Sequence, residues 1–407
     1  MCRRMAAPNS AAMSTDVTQR SGPLWSGQGW HFPAFKAKSQ AKIRIWRDGL
    51  MFTVREIATA LGAQAAGDLD LKITHASEPQ DAGAEALAMA MSPQYGEALT
   101  QGNARAALVW EGADWQALGL DAAIFVVRPR LAMSGVTRMM DRGQRLAAGI
   151  HPSAVIDPSA EIGADVTIGP LSVVGPDAKI GAGSLIGAHC FIGADVTIGP
   201  EANLREMVSI GARVTIGARF RAQPGARIAA DGFSYVTPET SGVENARKTL
   251  GDQGDTSAQS WVRIHSLGSV RIGDDVEIGA NCTIDNGTIR DTVIGNGTKL
   301  DNQVHVGHNC RIGNDCLLCG QTGLSGSVDI GNNVVLGGQC GVADNLFIGD
   351  RVIAGGGTKI LSNVPAGRVM MGYPAVKMDT HTEMYKAQRR LPRLMRDLDA
   401  LKKAVFK

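Results

Sequence analysis

The chain of 407 residues carries 41 Lys and Arg against 39 Asp and Glu, which leaves a formal net charge of +2. A charge this close to zero provides no general field for nucleic acid or another polyanion. No run of about 18 apolar residues is present that would predict a membrane-spanning helix. The length allows two or three domains, and the 50 Gly and the aromatic content of 5% favour a repetitive fold of small corners and aliphatic strands.

Residues 1–50 form a basic stretch rich in Ser, Ala and Gly, with eight Lys or Arg against two Asp. The stretch lacks the apolar segment of a secretory signal. Its composition predicts either a disordered basic arm or a segment read from an upstream start codon. The second interpretation is favoured because Met51 opens a well-formed domain.

Residues 51–150 predict a small α/β domain. Thr53 and Glu56 match the capping box that begins a helix, and apolar residues follow at helical spacing as far as Leu61. Short apolar runs that predict strands alternate with helical stretches; they are Leu71–Ile73, Ala107–Trp110 and Ala123–Val127.

From residue 151 the sequence repeats every six residues, and 13 consecutive hexads run to residue 228 without an insertion. The sixth position of a hexad is almost always Ile, Val or Leu and the fourth is small or β-branched, so both are expected to face one interior. Three hexads close one triangular coil, and residues about 18 apart then stack on one face. The repeat predicts a parallel β-helix over residues 151–375. Gly at the first position is expected at a corner because it tolerates a positive φ.

The period is interrupted twice. It resumes at residues 269–284 and, after a slip of four residues, continues from Gly295 to about Ala366. The polar segment 236–262 is expected to be a loop insertion, which solenoids often place on the functional face.

Of the seven Cys, five fall on the fourth hexad position and are expected to be buried thiols. These are Cys190, Cys282, Cys310, Cys316 and Cys340. Cys316 and Cys319 form one C-x-x-C, but no second pair accompanies it, so no metal site is predicted. The thiols are consistent with a reducing, cytoplasmic compartment.

Residues 376–407 are predicted to end the chain as a helix that begins near Thr380, with Pro392 near its start. Leucines and a valine at heptad spacing predict a seam that packs against other subunits; they are Leu391, Leu394, Leu398, Leu401 and Val405. Basic residues that include Arg390, Arg393 and Arg396 cover the other faces. They are either a solvated surface or a docking surface for an acidic partner.

The most informative stretch for chemistry is Asp301–Asn309. His305 and His308 occupy the fifth and second positions of their hexads, both of which point outward. Neither is therefore expected in the core. Each is either an ordinary surface histidine or, because its pKa lies near neutrality, a general base.

Residues 51–407 resemble the UDP-3-O-acylglucosamine N-acyltransferases of lipid A biosynthesis. The resemblance rests on four motifs in a specific order: DGFSY at Asp231–Tyr235, IGANCTID at Ile278–Asp285, DTVIGNGTKLDNQVHVGHN at Asp291–Asn309 and VPAGRVMMGYPA at Val364–Ala375. It implies a left-handed β-helix, a homotrimer and a cytoplasmic enzyme. It also implies transfer of a 3-hydroxyacyl chain from acyl carrier protein, which bears phosphopantetheine, to the 2-amine of UDP-3-O-acylglucosamine, with no further cofactor.

The resemblance also implies roles for individual residues. His308 matches the catalytic base, and Gly326, one coil later, matches the backbone donor to the oxyanion. Asp301 is either the group that orients His308 or a turn residue bonded to its own backbone. Gly326 is either the oxyanion donor or an ordinary corner glycine. Asn302 and His305 are expected on the substrate side.

Four residues depart from the family pattern. Asn345 stands where the family has a histidine beside the phosphopantetheine arm, and Asn286 stands where it has an arginine. The uracil-binding motif F-x-x-N-P-x-Y is represented by Met89, Ser92 and Tyr95. Tyr95 is expected to stack on the base, Met89 to pack against it and Ser92 to hydrogen-bond to it.

These departures leave open a divergent nucleotide-sugar N- or O-acyltransferase on the same scaffold. Two further alternatives are a hexapeptide zinc enzyme, for which no third histidine falls at a stacking offset from His305 and His308, and a solenoid without catalytic activity.

Overall fold

The structure, a computed structural model, describes residues 51–372 and 375–405. It divides between Arg142 and Gly143 into two compact units, and each unit has its own hydrophobic core. The predicted basic arm, residues 1–50, lies outside the described residues.

The N-terminal unit is an α/β domain, as predicted. Its central sheet has five strands, which in spatial order are Gln64–Gly67, Ala122–Val126, Ala106–Trp110, Ala86–Ala90 and His75–Ser77. The first is antiparallel to its neighbour and the others run parallel. An antiparallel pair joins Phe52–Thr53 to Lys72–Ile73. The helices are Val54–Leu61, Gly96–Leu99 and Pro129–Met140, with 3-10 turns at Pro79–Asp81 and Pro93–Tyr95.

The predicted capping box begins the helix Val54–Leu61. The Glu56 N–H donates to the Thr53 Oγ1 at 3.1 Å, and the Thr53 N–H donates to the Glu56 Oε2 at 2.8 Å. The strand Ala86–Ala90 was not found from the sequence, because Ala, Leu and Met favour helices. All five of its residues are buried within the sheet, and this burial on both faces outweighs the local preference.

The C-terminal unit is a parallel β-solenoid with three sheets of 10, 10 and 9 strands. Sheet I contains Thr167–Ile168, Leu185–Ile186, Asn203–Leu204, Arg221–Ala222, Glu277–Ile278, Lys299–Leu300, Leu317–Leu318, Val335–Leu336, Ile353–Ala354 and Val369–Met370. Sheet II contains Val155–Ile156, Val173–Val174, Phe191–Ile192, Ser209–Ile210, Arg227–Ala230, Thr283–Asp285, His305–Val306, Gly323–Leu324, Gly341–Val342 and Lys359–Ile360. Sheet III contains Glu161–Ile162, Lys179–Ile180, Thr197–Ile198, Thr215–Ile216, Val270–Ile272, Thr292–Ile294, Arg311–Ile312, Asp329–Ile330 and Phe347–Ile348.

Strand pairing confirms the stacking period. Thr167 pairs with Leu185, an offset of 18 residues. The predicted slip of four residues appears where Thr283 pairs with His305, an offset of 22. The handedness of the coils stays a prediction from the resemblance.

The interior of the solenoid is formed by the fourth and sixth hexad positions, as predicted. Representative fourth-position side chains are at most 6% exposed; they are Val166, Ala178, Val276 and Val334. The five thiols assigned to this position are also buried. A single apolar column therefore runs through the coils.

The explanation given for the corner glycines was wrong. Positive φ occurs at the third hexad position, on residues such as Asp165 and Asp177. The first-position Gly163 has no positive φ; a Cβ there would lie 2.7 Å from the backbone nitrogen of Ala182 in the next coil. Glycine is favoured at the first position because stacked coils approach closely there, not because of φ.

Residues 231–269, here called the excursion, leave the solenoid between sheets II and III. The predicted loop insertion lies within it, but it is not entirely loop: it contains the strand pair Tyr235–Val236 and Val262–Arg263 and the helix Gly242–Thr249. This helix begins with a capping box of Ser241 and Glu244. The same S-x-x-E signal that predicted the first helix was present here and was missed.

The C-terminal helix runs over Met378–Val405, and Pro392 lies in its interior rather than near its start. Pro392 removes one backbone donor, and the helix continues because Leu, Arg, Met and Lys around it favour helix. All five seam residues are exposed in the single chain.

Within the described parts of the chain, no helix combines the length and the apolarity needed to cross a membrane.

Thiol reactivity tests the assignment of the fourth position to the interior. Burial raises the pKa of the Cys190 thiol to about 11 and that of Cys310 to about 12, so little thiolate forms near neutral pH. In a Cys2→Ser background we expect Ellman's reagent at pH 8 to label one thiol rapidly, the half-buried Cys319. The remaining five should react only in denaturant. Rapid labelling of several thiols in the folded protein would contradict the assignment.

Candidate active site

His308 lies at the corner that leads from sheet II to sheet III, directly after the strand His305–Val306. Its carbonyl oxygen accepts a hydrogen bond from the Ser327 N–H at 2.8 Å. The side chain is half-buried and that of His305 is exposed. Both histidines are therefore outside the apolar core, as the hexad pattern predicted.

Two glycines pack against the His308 side chain. A Cβ on Gly326 would lie 2.5 Å from Cε1 and 2.7 Å from Nε2 of the imidazole. A Cβ on Gly232 would lie 2.8 Å from the His308 Cβ. Gly326 comes from the next coil, at the predicted offset, and Gly232 comes from the excursion. The imidazole therefore occupies a slot that exists because both neighbours lack a side chain.

Asn309 holds the other edge of the ring. Its Oδ1 accepts from the Thr288 N–H at 2.7 Å, which turns the amide nitrogen toward the His308 Nδ1 at 3.0 Å. An amide nitrogen only donates, so Nδ1 accepts in this arrangement and the neutral ring carries its proton on Nε2.

Asp285 is a buried carboxyl beside His305, at the corner one coil before His308. Its Oδ2 lies 3.9 Å from the His305 Nε2, and its side chain is 9% exposed. Burial raises the pKa of Asp285, while His305, His308 and the N–H of Phe233 oppose that rise. The carboxyl therefore sits where it interacts electrostatically with both imidazoles.

The excursion delivers the DGFSY motif to this corner. The Gly232 N–H donates to the Ser266 Oγ at 2.9 Å, and the rings of Phe233 and Tyr235 meet edge to face with centroids 5.0 Å apart. Arg263 lies over the Tyr235 ring, 4.9 Å from its centroid. The Phe233 ring nevertheless remains 85% exposed, so an apolar surface lies open close to the histidines.

Asn345 lies one coil beyond Gly326, at the same corner of the solenoid as His308. Its N–H donates to the Gly326 carbonyl oxygen at 3.1 Å, and its side-chain amide donates to Asp344 at 3.1 Å. Arg247 of the excursion helix lies 3.8 Å from the same Asp344 carboxylate. The excursion helix therefore reaches the coil that follows Gly326.

Asp301 is not brought to His308 within one chain. It lies at the preceding corner, between sheets I and II, where its carboxylate accepts from the N–H groups of Asn302 at 2.7 Å and Gly320 at 3.0 Å. Asn302 accepts from the Ala280 N–H at 2.7 Å. These bonds match the turn role left open for Asp301. A groove that includes Asp301, Asn302 and Lys299 runs along sheet I, away from His308.

In the N-terminal unit the three candidate nucleotide-binding residues differ in exposure. Met89 is 8% exposed and packs in the core, so it presents little surface to a base. Tyr95 is 38% exposed. The Ser92 hydroxyl is buried and has no hydrogen-bond partner among the described residues. Of the three side chains, that of Tyr95 is therefore the one exposed to a ligand, while the Ser92 hydroxyl is an unpaired polar group beneath the surface.

Sequence reasoning did not single out Asp285, Gly232 or Asn309. Asp285 occupies a first hexad position, where the repeat usually has Gly. A carboxylate at a hexad position where stacked backbones approach closely could have indicated a functional residue. Gly232 carried no such signal, because its place depends on the path of the excursion.

The described residues contain no group of three His, Cys, Asp or Glu side chains arranged to hold a metal ion.

On the C-terminal helix, the side chains of Arg390, Arg393 and Arg396 are exposed, and Arg393 lies 4.0 Å from Asp397. The helix therefore carries a basic exposed surface.

Two family models match parts of the solenoid. Residues 159–194 and 291–326 match the bacterial transferase hexapeptide family (six repeats), and residues 269–302 match the hexapeptide repeat of succinyl-transferase. A solved structure of the UDP-N-acetylglucosamine O-acyltransferase from Moraxella catarrhalis is 26% identical, covers 63% of this chain and 92% of its own, and gives a TM-score of 0.39.

Three curated relatives share one name, UDP-3-O-acylglucosamine N-acyltransferase. That of Ruegeria pomeroyi is 74% identical over 358 residues, which cover 88% of this chain and 99% of the relative. That of Paracoccus denitrificans is 63% identical and covers 88% and 98%, and that of Pseudomonas paraeruginosa is 40% identical and covers 68% and 73%. The chain belongs to the UDP-3-O-acylglucosamine N-acyltransferase family.

Proposed function

We propose that this protein transfers a 3-hydroxyacyl chain from acyl carrier protein to the 2-amine of UDP-3-O-acylglucosamine, which gives UDP-2,3-diacylglucosamine. Family membership across most of the chain supports the choice of substrates. The observation that carries the mechanism is the half-buried His308, held in a slot between Gly232 and Gly326.

His308 acts as the general base. The amine attacks the thioester carbonyl, the C–N bond forms, and His308 takes the proton that the amine loses. The tetrahedral intermediate then expels the phosphopantetheine thiolate, and the same proton passes from His308 to sulfur. The reaction therefore balances without a metal or a redox cofactor.

The base form of His308 needs its ring proton on Nδ1, which leaves the Nε2 lone pair free. Asn309 supports this form when its amide turns and presents Oδ1 to the Nδ1 proton, a change that breaks the hydrogen bond that the Thr288 N–H donates to Oδ1. An amide has both a donor and an acceptor end, so Asn309 is suited to serve both proton positions.

The backbone N–H of Gly326 stabilises the oxyanion that forms on the thioester carbonyl. Among the hydrogen bonds of the described residues, none uses this N–H, whereas the Gly326 carbonyl accepts from Asn345. The donor is therefore uncommitted and lies one coil from the base. Asn345 lies one coil further on at the same corner. It hydrogen-bonds to the phosphopantetheine arm and transfers no proton, because an amide does not titrate.

Tyr95 stacks on the uracil with its exposed ring. Ser92 hydrogen-bonds to the base when ligand binding opens access to its unpaired hydroxyl. The exposed Phe233 ring offers apolar contact to an acyl chain. His305 contacts the sugar beside His308.

The active form is a homotrimer. The exposed seam on Met378–Val405 needs an apolar partner. A neighbouring copy would also place its Asp301 and Asn302 opposite His308, where a single chain supplies neither residue. Acyl carrier protein docks on the surface formed by Arg390, Arg393 and Arg396.

Replacement of the base tests the mechanism. We expect His308→Ala to fold normally, because the side chain lies outside the apolar core, and to lose roughly 100-fold or more in turnover, the usual worth of a positioned base. Mass spectrometry would follow conversion of UDP-3-O-acylglucosamine by 3-hydroxyacyl carrier protein. His151→Ala, at an exposed corner of the first coil, is the matched control. Full turnover in His308→Ala would refute the assignment.

The glycine slot is tested by Gly326→Ala. Gly326 has no positive φ, so the added methyl group does not strain the backbone; it displaces the imidazole instead. We expect a loss of at least about tenfold in kcat with an unchanged melting temperature, since small displacements of a catalytic group are costly. Gly323→Ala, where a Cβ meets nothing within 4 Å, should retain activity. Equal activity of the two variants would contradict the slot.

Carrier-protein docking is tested by charge reversal of Arg390, Arg393 and Arg396 to Glu. We expect KM for the acyl carrier protein to rise several-fold at low salt and the effect to shrink at high salt, because surface charge pairs are screened. Activity with a small acyl-phosphopantetheine donor should not change. An unchanged KM for the carrier protein at low salt would remove the docking surface from the proposal.

A further inference from the structure

We infer that Asp285 is the positioning residue that stabilises the positive charge on His308 when the imidazole takes up the amine proton. The inference rests on the proposed role of His308 as the base. It replaces Asp301 of the same chain, which the sequence suggested for this task, with a carboxylate that the sequence did not single out.

The placement of Asp285 follows from the break in the repeat. Asp285 ends the strand Thr283–Asp285 of sheet II, which pairs with His305–Val306 at the slipped offset. Thr283 and His305 face each other across this pair, with the Thr283 Oγ1 at 2.8 Å from the His305 Nδ1. The other nitrogen of His305 then points toward the Asp285 carboxylate, at 3.9 Å.

The surroundings of Asp285 contain few groups that can balance its charge. The groups that interact with it are His305, His308, the carboxylate of Asp231 and the N–H of Phe233. Asp231 is of the same sign, and its nearest cation is Arg263 at 3.9 Å. In the described residues Asp285 forms no ion pair with Lys or Arg; its one pairing is with His305.

A buried carboxylate without a fixed cation is costly, and the cost falls when a neighbouring group becomes positive. Protonation of His308 supplies such a charge at the moment of catalysis. The strand register that pairs Thr283 with His305 and Ile284 with Val306 brings Asp285 level with Gly307, the residue before His308. Gly232, which precedes Phe233, packs against the His308 Cβ from the same side. Asp285 therefore favours the imidazolium of His308 over the neutral ring.

The test is the pH dependence of kcat/KM for acyl transfer with Asp285→Asn. The neutral base is the active form, so the acid limb reports the pKa of His308. Loss of a neighbouring negative charge lowers a histidine pKa. We expect the acid limb to move to lower pH by about one unit, and the plateau to fall by up to about tenfold, the factor that corresponds to one unit.

Asp195→Asn is the matched control, since it removes an exposed carboxylate from a coil remote from His308. It should leave the acid limb in place. An unmoved acid limb in Asp285→Asn, or an equal shift in Asp195→Asn, would overturn the inference, and a shift in Asp301→Asn alone would assign the role to Asp301. If His308→Ala retains turnover, the proposed base has failed and not merely its partner.

Two measurements guard against a folding defect. Asp285→Glu retains the charge, and we expect its acid limb to stay at the wild-type pH even where its turnover is lower. The second measurement is NMR of protein labelled with 13C-histidine. The chain has eight histidines, and the His308 signal is identified as the one that disappears in His308→Ala. Its titration midpoint should fall in folded Asp285→Asn and not in Asp285→Glu. Equal midpoints in these two variants would contradict the inference.

Discussion

Backbone hydrogen bonds between successive coils are the constraint on which the rest of this structure depends. N–H groups at the first and fifth hexad positions donate to carbonyls about 17 places on, as in the bonds from the Gly307 N–H to the Leu324 carbonyl and from the His305 N–H to the Thr322 carbonyl. The coils can approach to this distance because the first hexad position lacks a Cβ, as at Gly307 and Gly313. The apolar column is buried as a consequence, and each coil depends on its neighbours.

The functional corner lies where this regularity is broken. The excursion enters between Arg227–Ala230 and Val270–Ile272, and the four-residue slip follows between Thr283 and His305. The excursion brings Gly232 to the His308 side chain, and the slipped coil places Asp285 beside His305. The regular coils therefore serve as a rigid frame, while the chemistry occupies the one region in which insertions give room for polar groups.

What the sequence alone could predict follows the same division. Period six predicted the three-sided solenoid, the buried thiols, the outward direction of His308 and its stacking beneath Gly326, because a fixed offset converts position along the chain into position in space. The excursion helix, the Gly232 contact and the Asp285 carboxyl lay beyond that argument, since no period governs a segment that leaves the repeat. Asp301 was paired with His308 on proximity in sequence, yet seven residues are enough to reach the next corner of the coil.

A double-mutant cycle on kcat with His308→Ala and Asp285→Asn is the most direct test that one assembled unit performs the acid–base chemistry. Residues that act as a unit give strongly non-additive losses. The account predicts that Asp285→Asn costs about tenfold in the wild-type background and almost nothing once His308 is absent. Losses that multiply in the double variant would show that the two residues act independently and would contradict it.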